Sequence, residues 1–383
     1  MTLPNTYSLS HIILFLLFSL LASFLPCNCT SKPKQPNEAR QVKGMFVFGS
    51  SLVDNGNNNF LQNSMAKADY LPYGIDFPLG PSGRFTNGKN VIDLLGDRLK
   101  LPSLIPAFAD PSTKGNKIVH GVNYASGASG ILDETGIVAG NVINLKQQIN
   151  NFEEVTLPEL EVRLGCKSTE LLPHYLFILG TGGNDYSLNY FLSNPIPNNN
   201  NVSSLQFFTA KLITSLYNHL KKLYSLGGRR FVVMSINPLG CSPVIQASRP
   251  THEGCRQDLN QAARLFNARL RQLVDVAKSQ LPHSNFVFVN SYRIMHKIIT
   301  HPTSNGFNDA RSACCEVAAL NEGGNGILCK KDGRTCANRS MHVFFDGLHP
   351  TEAVNVIIAN KAFASNLTAD VYPININHLA LLY

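Results

Sequence analysis

The sequence predicts an α/β fold, a single three-layer α/β/α sandwich around a central parallel sheet, and three observations lead there. Short strand-like runs are apolar throughout instead of alternating with polar residues, as expected of strands buried on both faces. Longer segments of helical character separate them. No internal repeat and no long Pro/Gly/Ser linker divides the 383 residues, of which 44% are hydrophobic, enough for one large core.

The chain opens with "MTLPNTYSLSHIILFLLFSLLASFLPCNCTSKPK", whose apolar run from about Ile12 to Leu25 falls short of the roughly 20 residues a membrane-spanning helix needs. Residues 1–29 read as a secretory signal peptide, although no Lys or Arg precedes the run. That leaves residues 30–383 as one domain with a core from about 43 to 370 and no stable membrane insertion. The expected strands are "MFVFG", "HGVNYA", "HYLFILG", "RFVVMSI" and "NFVFVN". The expected helices are "KNVIDLLGDRLK", "INLKQQINNFEEV", Ser204 to Leu226, Gln257 to Gln280 and "TEAVNVIIANKAFASNL". The stretch "NPIPNNNNVSS" is read as an exposed loop.

A formal charge of +8 comes from scattered basic residues, with pairs such as Lys221-Lys222 and Arg229-Arg230 but no stripe that could track a phosphate backbone. Nucleic acid is therefore excluded as a partner, and anionic surfaces are favoured. Beyond the signal segment lie Cys166, Cys241, Cys255, Cys314, Cys315, Cys329 and Cys336. This odd count suits an oxidising compartment with one thiol left over. Cys241 with Cys255, and Cys314 or Cys315 with Cys329 or Cys336, are the local pairings on offer. No C-x-x-C pair supports a zinc site, so no metal is expected. Sequons at Asn201, Asn338 and Asn366 fit N-glycosylation on surface loops.

In open parallel sheets ligands bind beyond the carboxyl ends of the strands. The segments there are Gly49-Ser50-Ser51-Leu52, "NYASGASG", "LGTGGNDY" and "FFDGLHPTEAVN". Turn chemistry alone would select many of these residues. Together they supply a hydroxyl nucleophile, a histidine base, a carboxylate to orient it and donors for an oxyanion. Asp346 and His349, three residues apart, can share one side of a turn, with Pro350 suited to open the next helix. Neither G-x-S-x-G, a P-loop nor G-x-G-x-x-G occurs, so no nucleotide or other cofactor is expected.

The ordered set "FVFGSSLVDNGNNN", "GVNYASGASGIL", "GGNDY" and "FDGLHPTEAVN" resembles the plant-type GDSL esterase/lipase family of the SGNH-hydrolase superfamily, from about Lys43 through the helix after Pro350. The resemblance implies a flavodoxin-like sheet and a secreted, extracellular, monomeric serine esterase. It places the nucleophile at Ser51, the base at His349 and its orienting carboxylate at Asp346. The implied oxyanion donors are the Ser51 N–H, the Gly127 N–H (with Gly130 as the alternative glycine) and the Asn184 side chain. Ser50 stands where the name-giving motif has aspartate, so no carboxylate is available there. The implied substrates are lipid esters, acetylated polysaccharide or phenolic esters. Acyl transfer to an alcohol, or a binding protein without turnover, are the alternatives on the same fold. The "VFF" before Asp346 and "FPLGPSGRF" are candidate linings for an acyl groove.

Overall fold

In the computed structural model, described over residues 42–193, 201–248, 254–318 and 324–382, each strand sends consecutive side chains to opposite faces and thereby builds two cores. The proposed signal segment lies outside the described residues. Strands β1 (Gly44–Gly49), β2 (Tyr175–Gly180), β3 (Arg230–Met234) and β4 (Asn285–Val289) pair in parallel in that order. Strands β5 (Asp309–Ala313) and β6 (His342–Phe344) form a separate parallel pair, and β7 (Val371–Tyr372) closes the main sheet antiparallel to β4.

Side chains are sorted by type between the faces. Phe46, Phe48, Phe177, Phe231, Phe286 and Phe288 point into one core, beneath α1 to α4 as defined here: α1 (Leu145–Asn151), α2 (Leu157–Leu164), α3 (Asn201–Ser225) and α4 (Gln257–Gln280). Met45, Val47, Ile178, Val232, Val287 and Val289 fill the other, beneath the helix Val91–Arg98 and α5 (Ser291–Thr300), α6 (Glu352–Ala364) and α7 (Ile376–Leu381). The aromatic rings thus lie beneath the two longest helices, α3 and α4, and the aliphatic side chains beneath α5 to α7.

Several expected elements change on folding. "HGVNYA" is not a regular strand: it runs along the outer edge of β1 with isolated bridges at Asn123, and its backbone is hydrogen-bonded to Met45 and Val47, with Ser126 just beyond it donating to Gly49 O. Counting it as a strand gives the order 2-1-3-4-5, the flavodoxin-like arrangement. "INLKQQINNFEEV" begins a longer helical stretch, in which a π-turn run, Phe152–Thr156, links α1 to α2 ahead of Pro158. Proline has no N–H to give, so the ladder rearranges there. Pro350 does not open α6, which starts at Glu352 after the N-cap Thr351. Helices α5 and α7 and strands β5, β6 and β7 were not foreseen.

Disulfides join Cys241–Cys255, Cys314–Cys336 and Cys315–Cys329. Cys166 is disulfide-bonded as well, so the leftover thiol expected from the odd count is not found among the described residues. Asn338 and Asn366 are exposed, whereas the side chain of Asn201 lies outside the described set.

The loop before helix Val91–Arg98 is anchored by a buried bidentate pair, Arg84 Nε and Nη2 to the Asp93 carboxylate at 2.7 and 2.8 Å, with the guanidinium also over the Phe77 ring. Its neighbours Phe85 and Thr86 contact His349 and the Pro350 carbonyl, so the pair indirectly fixes the site. Arg84→Met strands the buried Asp93 carboxylate and should lower stability by about 3–5 kcal/mol in urea unfolding. Lysine cannot reproduce the fork, so Arg84→Lys should recover only part of that loss.

Candidate active site

Ser51 stands just past the carboxyl end of β1 because the backbone turns sharply there. Gly49 has φ of +149°, and a Cβ on it would lie 2.2 Å from the Gly180 carbonyl oxygen, so only glycine allows β1 and β2 to end in contact. The Ser50 N–H donates to Gly180 O, and the Val53 N–H returns to Ser50 O. Buried Gln148, from α1, grips the same glycine from both sides: its Oε1 accepts from Gly49 N–H at 2.8 Å and its Nε2 donates to Gly49 O at 2.9 Å.

Asp346 and His349 lie on the turn after β6. The Asp346 Oδ1 accepts from the backbone N–H groups of Leu348 and His349 at 2.8 and 2.7 Å, so the carboxylate itself shapes the turn. The three-residue spacing is therefore a turn held by side chain, not a helical step. His349 Nδ1 is 2.8 Å from Asp346 Oδ2, and His349 Nε2 is 2.8 Å from Ser51 Oγ. With Nδ1 protonated against the carboxylate, Nε2 carries the lone pair that faces the hydroxyl. All three side chains are buried, and the Phe85 ring lies 4.9 Å from the imidazole, centroid to centroid.

A fourth group was not legible beforehand. The Tyr73 hydroxyl donates to Asp346 Oδ2 at 2.6 Å and accepts from the Cys329 N–H at 3.1 Å. Burial, and then the adjacent Asp346 carboxylate, push this phenol well above its ordinary range, so it keeps its proton and remains a donor. No sequence spacing could reveal a partner 273 positions away.

The remaining expected residues divide. Asn184 lines the cavities beside Ser51 and His349, and its Nδ2 donates to Ser129 O at 2.9 Å, leaving the other amide hydrogen available. The Gly127 N–H donates to Asp54 Oδ2 at 2.9 Å, because that fully buried carboxylate draws donors from Gly56, Asn57 and Gly127. Gly130 packs against Asp185 and Thr135, where a Cβ would come within 2.7 Å of the Asp185 carboxyl group. The residue of this segment that lines the groove with Ser51 and Asn184 is Ala128, held at φ of +65°.

Two cavities meet at Ser51. A narrow one of about 70 Å³ lies over the ends of β1 to β3 and is lined by Ser50, Thr181, Asn237 and Phe344 among others. A groove of about 460 Å³ runs outward past Phe85, Leu188, Leu239, Ile245 and Ile327. Of the foreseen aromatic linings, Phe85 faces the groove and Phe344 the narrow cavity, while Phe345 is packed on Tyr73. The only described cluster with metal-ligand spacing, Cys314, Cys336 and His342, has its two sulfurs joined in a disulfide.

The chain is similar over most of its length to proteins of one family. The family model of GDSL-like lipase/acylhydrolases matches residues 45–362. The GDSL esterase/lipase At5g08460 of Arabidopsis thaliana is 43% identical over 349 residues, 88% of this chain and 87% of that protein. The Arabidopsis thaliana GDSL esterase/lipase At1g71250 is 40% identical over 360 residues, 92% of each chain. At1g29670, a GDSL esterase/lipase of the same plant, is 38% identical over 344 residues, 89% of this chain and 92% of that one.

Burial pushes the Asp185 carboxyl up to about 6, against the pull of N–H donors from Ile131 and Leu132 and the Thr135 hydroxyl. The folded chain therefore holds this proton more tightly than the unfolded one, and the group's contribution to stability declines as pH rises from about 4 to about 6. Asp185→Asn cannot ionise. In urea unfolding between pH 4 and 7, the margin of wild type over this variant should narrow as pH rises, and a constant margin would contradict the assignment.

Proposed function

Because the chain belongs to the GDSL lipase/acylhydrolase family, we propose that it is a secreted serine esterase that forms an acyl-enzyme on Ser51. Membership makes it an ester hydrolase; the residue roles and the secretion are the proposal. The observation that carries it is the continuous chain Ser51 Oγ, His349 Nε2, His349 Nδ1 and Asp346, with both links at 2.8 Å.

Ser51 Oγ attacks the ester carbonyl as its proton passes to His349 Nε2. Asp346 keeps the imidazole in the tautomer that can accept this proton and stabilises the imidazolium. The oxygen of the tetrahedral intermediate is met by the Ser51 N–H and the free amide hydrogen of Asn184, each such donor contributing about 10²–10³ in rate. The Gly127 N–H, which donates to Asp54 Oδ2, would leave that bond to serve as the third donor. His349 then protonates the leaving alcohol, and water, activated by the same imidazole, releases the acid. Ser50 takes no part in proton transfer, which is why replacing the motif's aspartate leaves this route intact. The chain carries out each step with its own side chains, acts as a monomer, and is delivered outside the cell by residues 1–29, with N-glycans at Asn201, Asn338 and Asn366.

A fluorophosphonate should label the folded protein on Ser51 alone, as read by peptide mapping, and Ser51→Ala should lose both the label and about 10³-fold or more of kcat/KM. Ser50→Asp should alter the rate while leaving the labelled residue unchanged; an adduct on Ser50 would refute the assignment.

Tyr73→Phe deletes the hydrogen bond to Asp346 with little change in shape. The carboxylate then attracts the imidazolium more strongly and orients it less firmly. We expect kcat to fall about tenfold with KM unchanged, on the scale of one hydrogen bond to a charged group, and the acid limb of the pH–rate profile to move to higher pH. A profile that keeps its position would reduce Tyr73 to a packing residue.

A further inference from the structure

Among the described residues, the groove leading to Ser51 is lined by no Asp, Glu, Lys or Arg, and its outer end is edged by side chains that water should disfavour. Met65, Val138 and Leu192 line it and are 62%, 57% and 54% exposed, and Ile137, beside Val138 but outside the groove, is 67% exposed. Met65 and the Ile137–Ala139 turn belong to two loops tied into one lip. The Met65 N–H donates to Ala139 O at 2.9 Å, Ser64 bridges to Gly140, and Asn141 Nδ2 donates to Gln62 O at 2.8 Å. Apolar surface clustered at one place marks an interaction site, unlike apolar residues scattered singly.

We infer that this lip seats the enzyme on a lipid surface and that the substrate is a long-chain ester taken directly from it, an assignment that rests on the esterase reading above. The occupant follows from continuity. A chain leaving a lipid phase through the lip reaches Ser51 along apolar walls, whereas one crossing water first would expose every methylene, each disfavoured by about 0.8 kcal/mol. Acetylated polysaccharide matches neither part: an acetyl group leaves a groove of about 460 Å³ nearly empty, and sugar hydroxyls would meet Met, Ile, Val and Leu at its mouth. The formal charge of +8 adds attraction to anionic lipid, and the apolar lip supplies the insertion that charge alone does not.

The test uses the full mature protein, phosphatidylcholine vesicles with and without phosphatidylglycerol, and two substrates: p-nitrophenyl decanoate carried in the vesicles and p-nitrophenyl acetate in solution. Wild type should sediment with the vesicles, more so with phosphatidylglycerol, and hydrolyse the decanoate faster when it is vesicle-borne. Ile137→Asp places a charge in the lip without touching the groove. It should bind vesicles about tenfold more weakly and lose a similar factor on the decanoate, with the acetate rate unchanged. Wild type that stays in the supernatant, or an Ile137→Asp variant that binds as wild type does or loses both activities equally, would overturn the inference. The underlying esterase reading fails separately, if wild type hydrolyses neither ester and takes no fluorophosphonate label. Vesicle binding without turnover would retain the surface and remove the enzyme.

Discussion

Everything at the site depends on how a fully buried carboxylate, Asp346, is satisfied. A charge removed from water is tolerable only if donors surround it. Here the donors are two backbone N–H groups of its own turn, the His349 ring and the Tyr73 hydroxyl. Each of them is also a structural commitment. The backbone pair sets the direction of the turn, the ring fixes the tautomer, and Tyr73 ties the carboxylate to the disulfide-linked segment through the Cys329 N–H. Solvating one anion from within the protein thus aligns three distant parts of the chain.

The opposite wall of the site obeys the same rule with neutral groups. The "DNGNNN" run looks like a solvent-exposed turn, yet Asp54, Asn57 and Asn58 are buried. Asn57 Nδ2 donates to the carbonyls of Asn123 and Ala125, and Asn58 Nδ2 donates to those of Ala66 and Gly127. These amides take the place of strand pairing between two loops that cannot form regular structure. Gln148 does likewise at Gly49. Buried amide networks of this kind specify a single arrangement, which is what a nucleophile and base held 2.8 Å apart require.

Much of this was legible in advance, for definite reasons. The parallel sheet could be read because strands buried on both faces leave unbroken apolar runs, and Gln257–Gln280 appears at the bounds expected because its apolar positions recur at helical spacing. Ser51, Asp346 and His349 could be named because their motifs carry them in order. "HGVNYA" misled because an edge segment joined to its neighbours only by isolated bridges at Asn123 has strand composition without strand regularity. Tyr73, Gln148 and the capture of the Gly127 N–H by Asp54 were invisible for another reason. Hydrophobic periodicity reports which side chains are buried but not which buried polar atom meets which, and those meetings span 73 to 273 residues. Helices α5 and α7, both missed, are short segments whose apolar faces are recognisable only once the aliphatic side of the sheet is known.

Both margins of the sheet are closed to outside strands. Along β1 the 120–125 segment occupies the free hydrogen-bonding positions, and its own outer side is taken by Pro106 and Phe108 through bonds to Asn123. At the other margin β7 offers only two residues, Val371 and Tyr372. A sheet with unpaired backbone at its flank invites a neighbouring chain to continue the ladder, and that is how ordered aggregates begin. With no such template of useful length among the described residues, a sheet built mostly from Phe, Val, Ile and Leu lacks that route to ordered association.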